Sequence, residues 1–231
     1  MVLPFSRAWL GLALLLLLVG GCVGQAGTDL PARPPVLVAI GASDAVGVGA
    51  SDPAQRSWPV LLQQFLPAGT RLVNLGIAGA RVADALEQGL PVALDANPDY
   101  VVLWIAVNDL VAGTPLPDYE RDLNALLSQL ATSTRARLFL ANVPNLTALP
   151  RVLGRDPATL EETIAAWNAV IARAAATHGA VLVDLAADGG ELAQNPTYLS
   201  ADGFHPSDAG YRRIAERFWQ AMATAGVPGR S

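Results

Sequence analysis

The stretch VLVAIGASDAVGVG, residues 36–49, decides how the rest of the chain is read. Its first five residues, Val36 to Ile40, are apolar without alternation, the pattern of a strand covered on both faces. The run stops at Gly41, and Ala42, Ser43 and Asp44 follow at once. A buried strand that ends in a small, polar loop is the exit of a parallel strand, where α/β sheets bind their ligands.

Outward from this point the same unit recurs. SWPVLLQQFL (57–66) reads as a helix, with Ser57 as its cap and Pro59 tolerated in the first turn. RLVNL (71–75) is a second strand and ARVADALEQGL (80–90) a second helix. YVVLWIA (100–106) is the third and most apolar strand. LPDYERDLNALLSQLAT (116–132) places Leu123, Leu126, Leu127 and Leu130 on one helical face. RLFLANV (137–143) makes a fourth strand, TLEETIAAWNAVIARAAATHG (159–179) a long helix, and AVLVDL (180–185) a fifth strand. PSDAGYRRIAERFWQAMATAG (206–226) closes the chain as a helix. Strands separated by helices predict one α/β domain, residues 36–231, with a parallel sheet covered on both faces. No internal repeat and no second domain interrupt it.

Composition narrows the chemistry. The 231 residues suffice for one domain with a sizeable core. All 15 basic residues are arginine, so no Schiff-base lysine, Ser-Lys dyad or P-loop lysine is available. Net charge is −5 with no basic block, which argues against a nucleic-acid partner. The single cysteine, Cys22, excludes a CxxC pair and an internal disulfide. Two histidines, His178 and His205, are too few for a multi-histidine zinc site, so no metal site is expected. A hydroxyl assisted by histidine is what remains for covalent catalysis.

The first residues read as an address. Arg7 precedes an apolar run from Ala8 to Val19 that ends in small residues and is short for a bilayer span. Residues 1–21 are therefore expected to be a secretory signal, with an uncleaved anchor as the alternative. Val19-Gly20-Gly21-Cys22 resembles the lipobox of bacterial lipoproteins, which implies lipidation of Cys22, export to the cell envelope and a membrane anchor. Residues 22–35, rich in Gly and Pro, would be the tether.

Four loops carry chemically suited groups: Ser43 after the first strand, Asn74, Gly76 and Gly79 after the second, Asn108 and Asp109 after the third, and Asp202 with His205 before the last helix. If the sheet is as read, all four meet on one rim. Ser43 is a weak nucleophile until a base takes its proton, and an imidazole is suited to that task. Asp202, three residues ahead of His205 across Gly203, can fix the imidazole tautomer. Asp184, at the end of strand five, is the other candidate for that carboxylate. Pro206 would start the helix and restrict His205. Ser43 N–H, Gly76 N–H and the Asn108 amide are candidate donors to an oxyanion.

These four blocks resemble the SGNH/GDSL hydrolase family, whose blocks carry a Ser, a Gly, an Asn and a His in this order. Ser43, Gly76, Asn108 and His205 fall on those positions and Asp202 on the acid of the DxxH motif, over about Val36 to Ala225. The resemblance implies a flavodoxin-like three-layer α/β/α sandwich with five parallel strands. It also implies a serine esterase working through a Ser43-His205-Asp202 triad, with no cofactor. Two departures are visible: GASD replaces GDS, with Ala42 for aspartate, and AVND replaces GxND, with Ala106 for glycine.

The expected substrate is a small-molecule carboxylic ester or lipid, most readily one with a short acyl chain. Deacetylation of an O-acetylated polysaccharide, thioesterase or lysophospholipase chemistry, and non-catalytic binding of glycan or lipid are the alternatives. GVGAS after Ser43 superficially suggests a dinucleotide loop, but Asp52 stands where the third glycine belongs. His178 reads as a helix end, and Asp44 and Asp109 as loop-shaping residues. Leu146, Leu149, Val152 and Leu153 in the long loop 143–157 read either as packing or as a wall for an acyl chain.

Overall fold

A computed structural model describes residues 33–147, 149, 156–187, 191 and 195–230. The signal and the tether up to residue 32, Cys22 included, lie outside the described residues, as do Val152 and Leu153 of the long loop. Arg33, the first described residue, pairs with Asp99 at 2.8 Å and so belongs to the domain rather than to a free tether.

The elements are, in chain order, β1 (Val36–Gly41), α1 (Ser43–Val46), α2 (Pro53–Arg56), α3 (Trp58–Gln63), β2 (Arg71–Asn74), α4 (Val82–Asp84) and α5 (Leu90–Asp95). β3 (Tyr100–Trp104), α6 (Val107–Ala112), α7 (Leu116–Ser133), β4 (Arg137–Ala141), α8 (Pro157–Thr177), β5 (Val181–Val183) and α9 (Asp208–Thr224) complete them. The five strands form one sheet in the order β2-β1-β3-β4-β5, and every pair is parallel. β1 pairs with β2 from Val36–Arg71 and with β3 from Leu37–Tyr100, so strand order reverses at β1. The crevice beyond its carboxyl end is the place this topology offers a ligand.

Alternation along β1 builds the two outer layers. Val36, Val38 and Ile40 pack against α4, α5, α7 and α8, whereas Leu37 and Ala39 pack against α3 and α9. This is the three-layer α/β/α arrangement. The α7 stripe of Leu123, Leu126, Leu127 and Leu130 is fully buried, as its spacing required. Truncating any of these to alanine costs about 2–5 kcal/mol.

Several boundaries differ from the sequence reading, each for a local reason. α8 begins two residues early because Asp156 accepts the Thr159 N–H at 2.9 Å and Pro157 takes the first helical position. α9 begins at Asp208 rather than at Pro206; Ser207 is its cap and accepts from Gly210 N–H at 3.2 Å. Ser57 occupies the cap position of α3 without a capping bond. It is buried and wedged under the Ser43 loop, where a Cβ on Gly47 would stand 2.9 Å from the Ser57 Cβ. The second helix runs past Leu90 to Asp95 despite Pro91, because a wide π turn over Ala85–Gly89 precedes it. That turn absorbs the register break a proline imposes.

Candidate active site

Chain leaves β1 through a turn with little room: a Cβ on Gly41 would stand 2.7 Å from the Ala45 Cβ. Ala42 is buried, and Ser43 is the first residue of α1. Ser43 N–H therefore sits where a helix leaves its amides without an intrahelical acceptor. The short helix was invisible to periodicity, since four residues complete barely one turn.

The segment from the far end of the chain is a tight loop closed by its own bonds. Leu199 pairs with Pro206 in an antiparallel bridge, and Ser200 N–H donates to His205 O at 2.9 Å. Gly203 turns it at φ +71°, in the left-handed region. Asp202 Oδ1 accepts from Ser200 Oγ–H at 2.9 Å, Phe204 N–H at 2.8 Å and His205 N–H at 2.9 Å. Burial opposes ionisation of Asp202, but the bonds from His205, Phe204 and Ser200 outweigh it and hold the carboxyl well below the usual carboxylate range. Oδ2 accepts from His205 Nδ1 at 2.5 Å. Since a carboxylate only accepts, Nδ1 carries the hydrogen and Nε2 presents its lone pair. That lone pair faces Ser43 Oγ at 2.9 Å across 162 positions of sequence. The Phe204 ring stands edge-on to the imidazole at 5.0 Å.

Polar stitches hold the two loops in register. Gly49 has φ +93°, and a Cβ there would fall 2.7 Å from Pro206 O and 3.0 Å from the His205 Cβ. Only glycine allows the Ser43 loop to lie this close to the His205 loop. Tyr211 Oη–H donates to Val48 O at 2.5 Å. Ser51 donates through N–H and Oγ–H to the two oxygens of Asp208, at 2.8 and 2.6 Å. Sequence reasoning missed Gly49, Ser51 and Asp208. Gly49 was legible only as part of an apparent dinucleotide loop, and the Ser51–Asp208 pair joins residues with no local signal.

Asn108 lies in the first turn of α6 and lines the same cavity as Ser43 and His205. One of its amide hydrogens goes to Ala80 O at 2.9 Å, which leaves the second to point elsewhere. Its neighbour Asp109 is buried and accepts Val82 N–H at 2.9 Å. Burial pushes the Asp109 carboxyl up. Gly76 departs from expectation: its N–H is taken by Asn74 Oδ1 at 3.0 Å rather than standing open. A short Asn side chain readily folds back on the amide two residues ahead. The Asn74 amide in turn donates to Ala45 O at 2.6 Å, tying the loop after β2 to α1. Glycine is still obligatory there, because a Cβ would meet the Ala45 Cβ at 2.8 Å.

The other candidates fall away from this cluster of bonds. Asp184 accepts from the Asn142 amide at 2.7 Å and Ala186 N–H at 3.0 Å, shaping the turn after β5. His178 ends α8, with Nε2 2.9 Å from Asn124 Oδ1. Asp44, beside Ser43, accepts from Trp58 Nε1–H at 3.0 Å. Burial outweighs that bond and pushes its carboxyl up to about 6. Beyond the polar groups the cavity walls are apolar, with Ile105, Leu146, Leu149, Tyr198 and Leu199 among them.

Residues 39–213 match the model of the GDSL-like Lipase/Acylhydrolase family. The chain belongs to this family. As a GDSL-like chain it is similar to Esterase TesA of Pseudomonas aeruginosa, 26% identical over 209 residues, covering 89% of this chain and 96% of the relative. It is also similar to an acetylxylan esterase of Geobacillus stearothermophilus, 26% identical over 178 residues, with 74% of this chain and 80% of the relative covered. The crystal structure of TesA superimposes with a TM-score of 0.66 at 26% identity, covering 82% of this chain and 98% of that one. LAE5, a hydrolase from the metagenome of Lake Arreo, Spain, gives a TM-score of 0.66 at 25% identity, with 82% and 95% covered. Ala42 and Ala106 are both buried in the turns that precede Ser43 and Asn108.

Proposed function

We propose that this GDSL-like chain is a serine carboxylester hydrolase, and one observation carries the reading: the unbroken line Ser43 Oγ, His205 Nε2, His205 Nδ1, Asp202 Oδ2, with links of 2.9 and 2.5 Å. Ser43 Oγ attacks the ester carbonyl while His205 Nε2 takes its proton. The charge that moves onto the carbonyl oxygen meets Ser43 N–H and the Asn108 amide. Gly76 N–H joins them by exchanging Asn74 Oδ1 for the substrate oxygen. Each such donor is typically worth about 2.7–4 kcal/mol of barrier. The imidazolium, stabilised by Asp202, protonates the leaving alkoxide and an ester of Ser43 remains. Water then repeats the attack with His205 as base, releasing the acid and restoring Ser43.

The apolar cavity supports esters of short, unfunctionalised acyl groups, accepted broadly. Removal of acetyl groups from a polysaccharide is the second reading, supported by the likeness to the Geobacillus acetylxylan esterase. The lone Cys22 behind its apolar run supports export and a lipid anchor in the cell envelope. Incorporation of labelled palmitate, lost on Cys22→Ala, tests the anchor.

A fluorophosphonate probe tests the chemistry. It should label the wild-type protein and not Ser43→Ala, while a panel of p-nitrophenyl esters from acetate to palmitate, with acetylated xylan beside it, ranks substrates. Labelling that persists in Ser43→Ala would remove Ser43 as nucleophile. A wild-type protein that neither labels nor turns over any ester would point to a binding module.

A further inference from the structure

The Ser43 turn has a partner that the acyl-transfer scheme does not use. Asp44 follows the nucleophile directly and is one of the residues that line the same cavity. The carboxylate is folded back under the turn, so close that a Cβ on Gly41 would lie 3.1 Å from Asp44 Oδ1. That same oxygen accepts the indole N–H of Trp58 at 3.0 Å. Trp58 is completely buried at the start of α3, and its ring stacks on Phe218 of α9, centroids 4.5 Å apart and planes 8° from parallel. Phe218 is also completely buried. α9 is the helix that begins just after His205, and its Tyr211 grips the Ser43 loop from the other side through Val48 O.

These contacts form a strut: Ser43 turn, Asp44 carboxyl, Trp58 indole, Phe218 ring, His205 helix. We propose that Asp44 is a positioning residue, which sets the Ser43–His205 separation by pinning the nucleophile turn to the aromatic stack on α9. The carboxyl acts through Trp58 and touches no reacting atom. What the strut needs is an oxygen acceptor, not a charge, because an amide or a protonated carboxyl still offers its carbonyl oxygen to an indole N–H. Trp58, for its part, has a buried donor that demands an acceptor. Loss of the acceptor frees the turn to drift, and a drift near 1 Å in a proton-transfer pair costs about 10²-fold in rate.

This proposal rests on the Ser43–His205 reading, so the wild-type enzyme must first label at Ser43; failure there sinks that reading and not the strut alone. Asp44→Ala, Asp44→Asn and Trp58→Phe are then compared by kcat, KM and the rate of fluorophosphonate labelling. Asp44→Ala should lower kcat and the labelling rate together by about ten- to a hundredfold with KM little changed. Asp44→Asn should recover most of that loss. Trp58→Phe removes the same hydrogen bond from its other end while keeping a ring against Phe218, and serves if Asp44→Ala does not fold. Combined with Asp44→Ala it should add no further loss. Equal damage from Asn and Ala would make charge the active property and overturn the strut. So would additive losses in the double variant, or a loss confined to KM.

Discussion

Replacing Gly210 by alanine pits two backbone effects against each other. Gly210 is the third residue of α9, and alanine in a helix is ordinarily better than glycine by about 0.5–1 kcal/mol. Here the new Cβ would stand 2.2 Å from Tyr198 O and 2.9 Å from the Pro206 Cβ. An ordinary contact begins at 3.4 Å, so the helix and the carbonyl must part by about 1 Å. That carbonyl is not free to retreat, because it accepts Ser207 N–H at 2.8 Å and the next residue, Leu199, is bridged to Pro206. Overpacking of this kind costs about 1–3 kcal/mol, which exceeds the helical gain and leaves a net loss of roughly 1–2 kcal/mol. For a chain of this size that is a fall in Tm of roughly 2–8 °C. The loop that must yield is the one that carries Asp202 and His205, so kcat should fall by up to about 10²-fold with a smaller change in KM. Thermal unfolding by circular dichroism and steady-state turnover of p-nitrophenyl butyrate read both effects. A Gly210→Ala protein with raised Tm and unchanged kcat would refute the claim that this contact fixes the loop.

Three further outcomes are expected. Asn108→Ala should cut kcat by about 10²–10³-fold and leave KM nearly unmoved; a change in KM alone would make Asn108 a binding residue. Asp202→Asn should reduce kcat by about 10⁴-fold, because an amide hydrogen facing Nδ1 favours the wrong tautomer; full activity would place the acid elsewhere. Asp44 gives the fold a pH dependence of known sign. Its carboxyl is raised from 3.8 to about 6, so its contribution is present below pH 4 and is lost as pH rises through 6. Between these limits wild type should lose on the order of 3 kcal/mol relative to Asp44→Asn in urea unfolding, and parallel curves would contradict it.

The fold was legible because β1 and β3 are apolar throughout and α7 repeats its leucines on one face. Strand order was not, since nothing in residues 71–74 or 100–104 states which side of β1 each will take; that choice belongs to crossover packing. Short helices escaped for want of periods: α6 gave only the letters AVND. The second helix, read over 80–90, gave no sign that it continues past Pro91, and only the preceding π turn shows how it does. At the site, Ser43 and Asn108 announced themselves as reactive types at strand exits, and Asp202 and His205 in the loop before the last helix. Gly76 announced its position but not its state, because the Asn74 bond to its N–H depends on a side-chain rotamer. Gly49, Ser51 and Asp208 carry no chemistry of their own and acquire meaning only when the two ends of the chain are in contact.

The separation of 162 positions between Ser43 and His205 also imposes an order of events. Synthesis delivers the hydroxyl first and the imidazole almost last, so on the proposed mechanism every intermediate length of chain is chemically silent. On the proposed mechanism, hydrolysis begins only after α9 has docked on a finished sheet. On the same reading a chain clipped ahead of Asp202 would keep its serine and lose its reactivity, which makes turnover itself a gauge of complete folding.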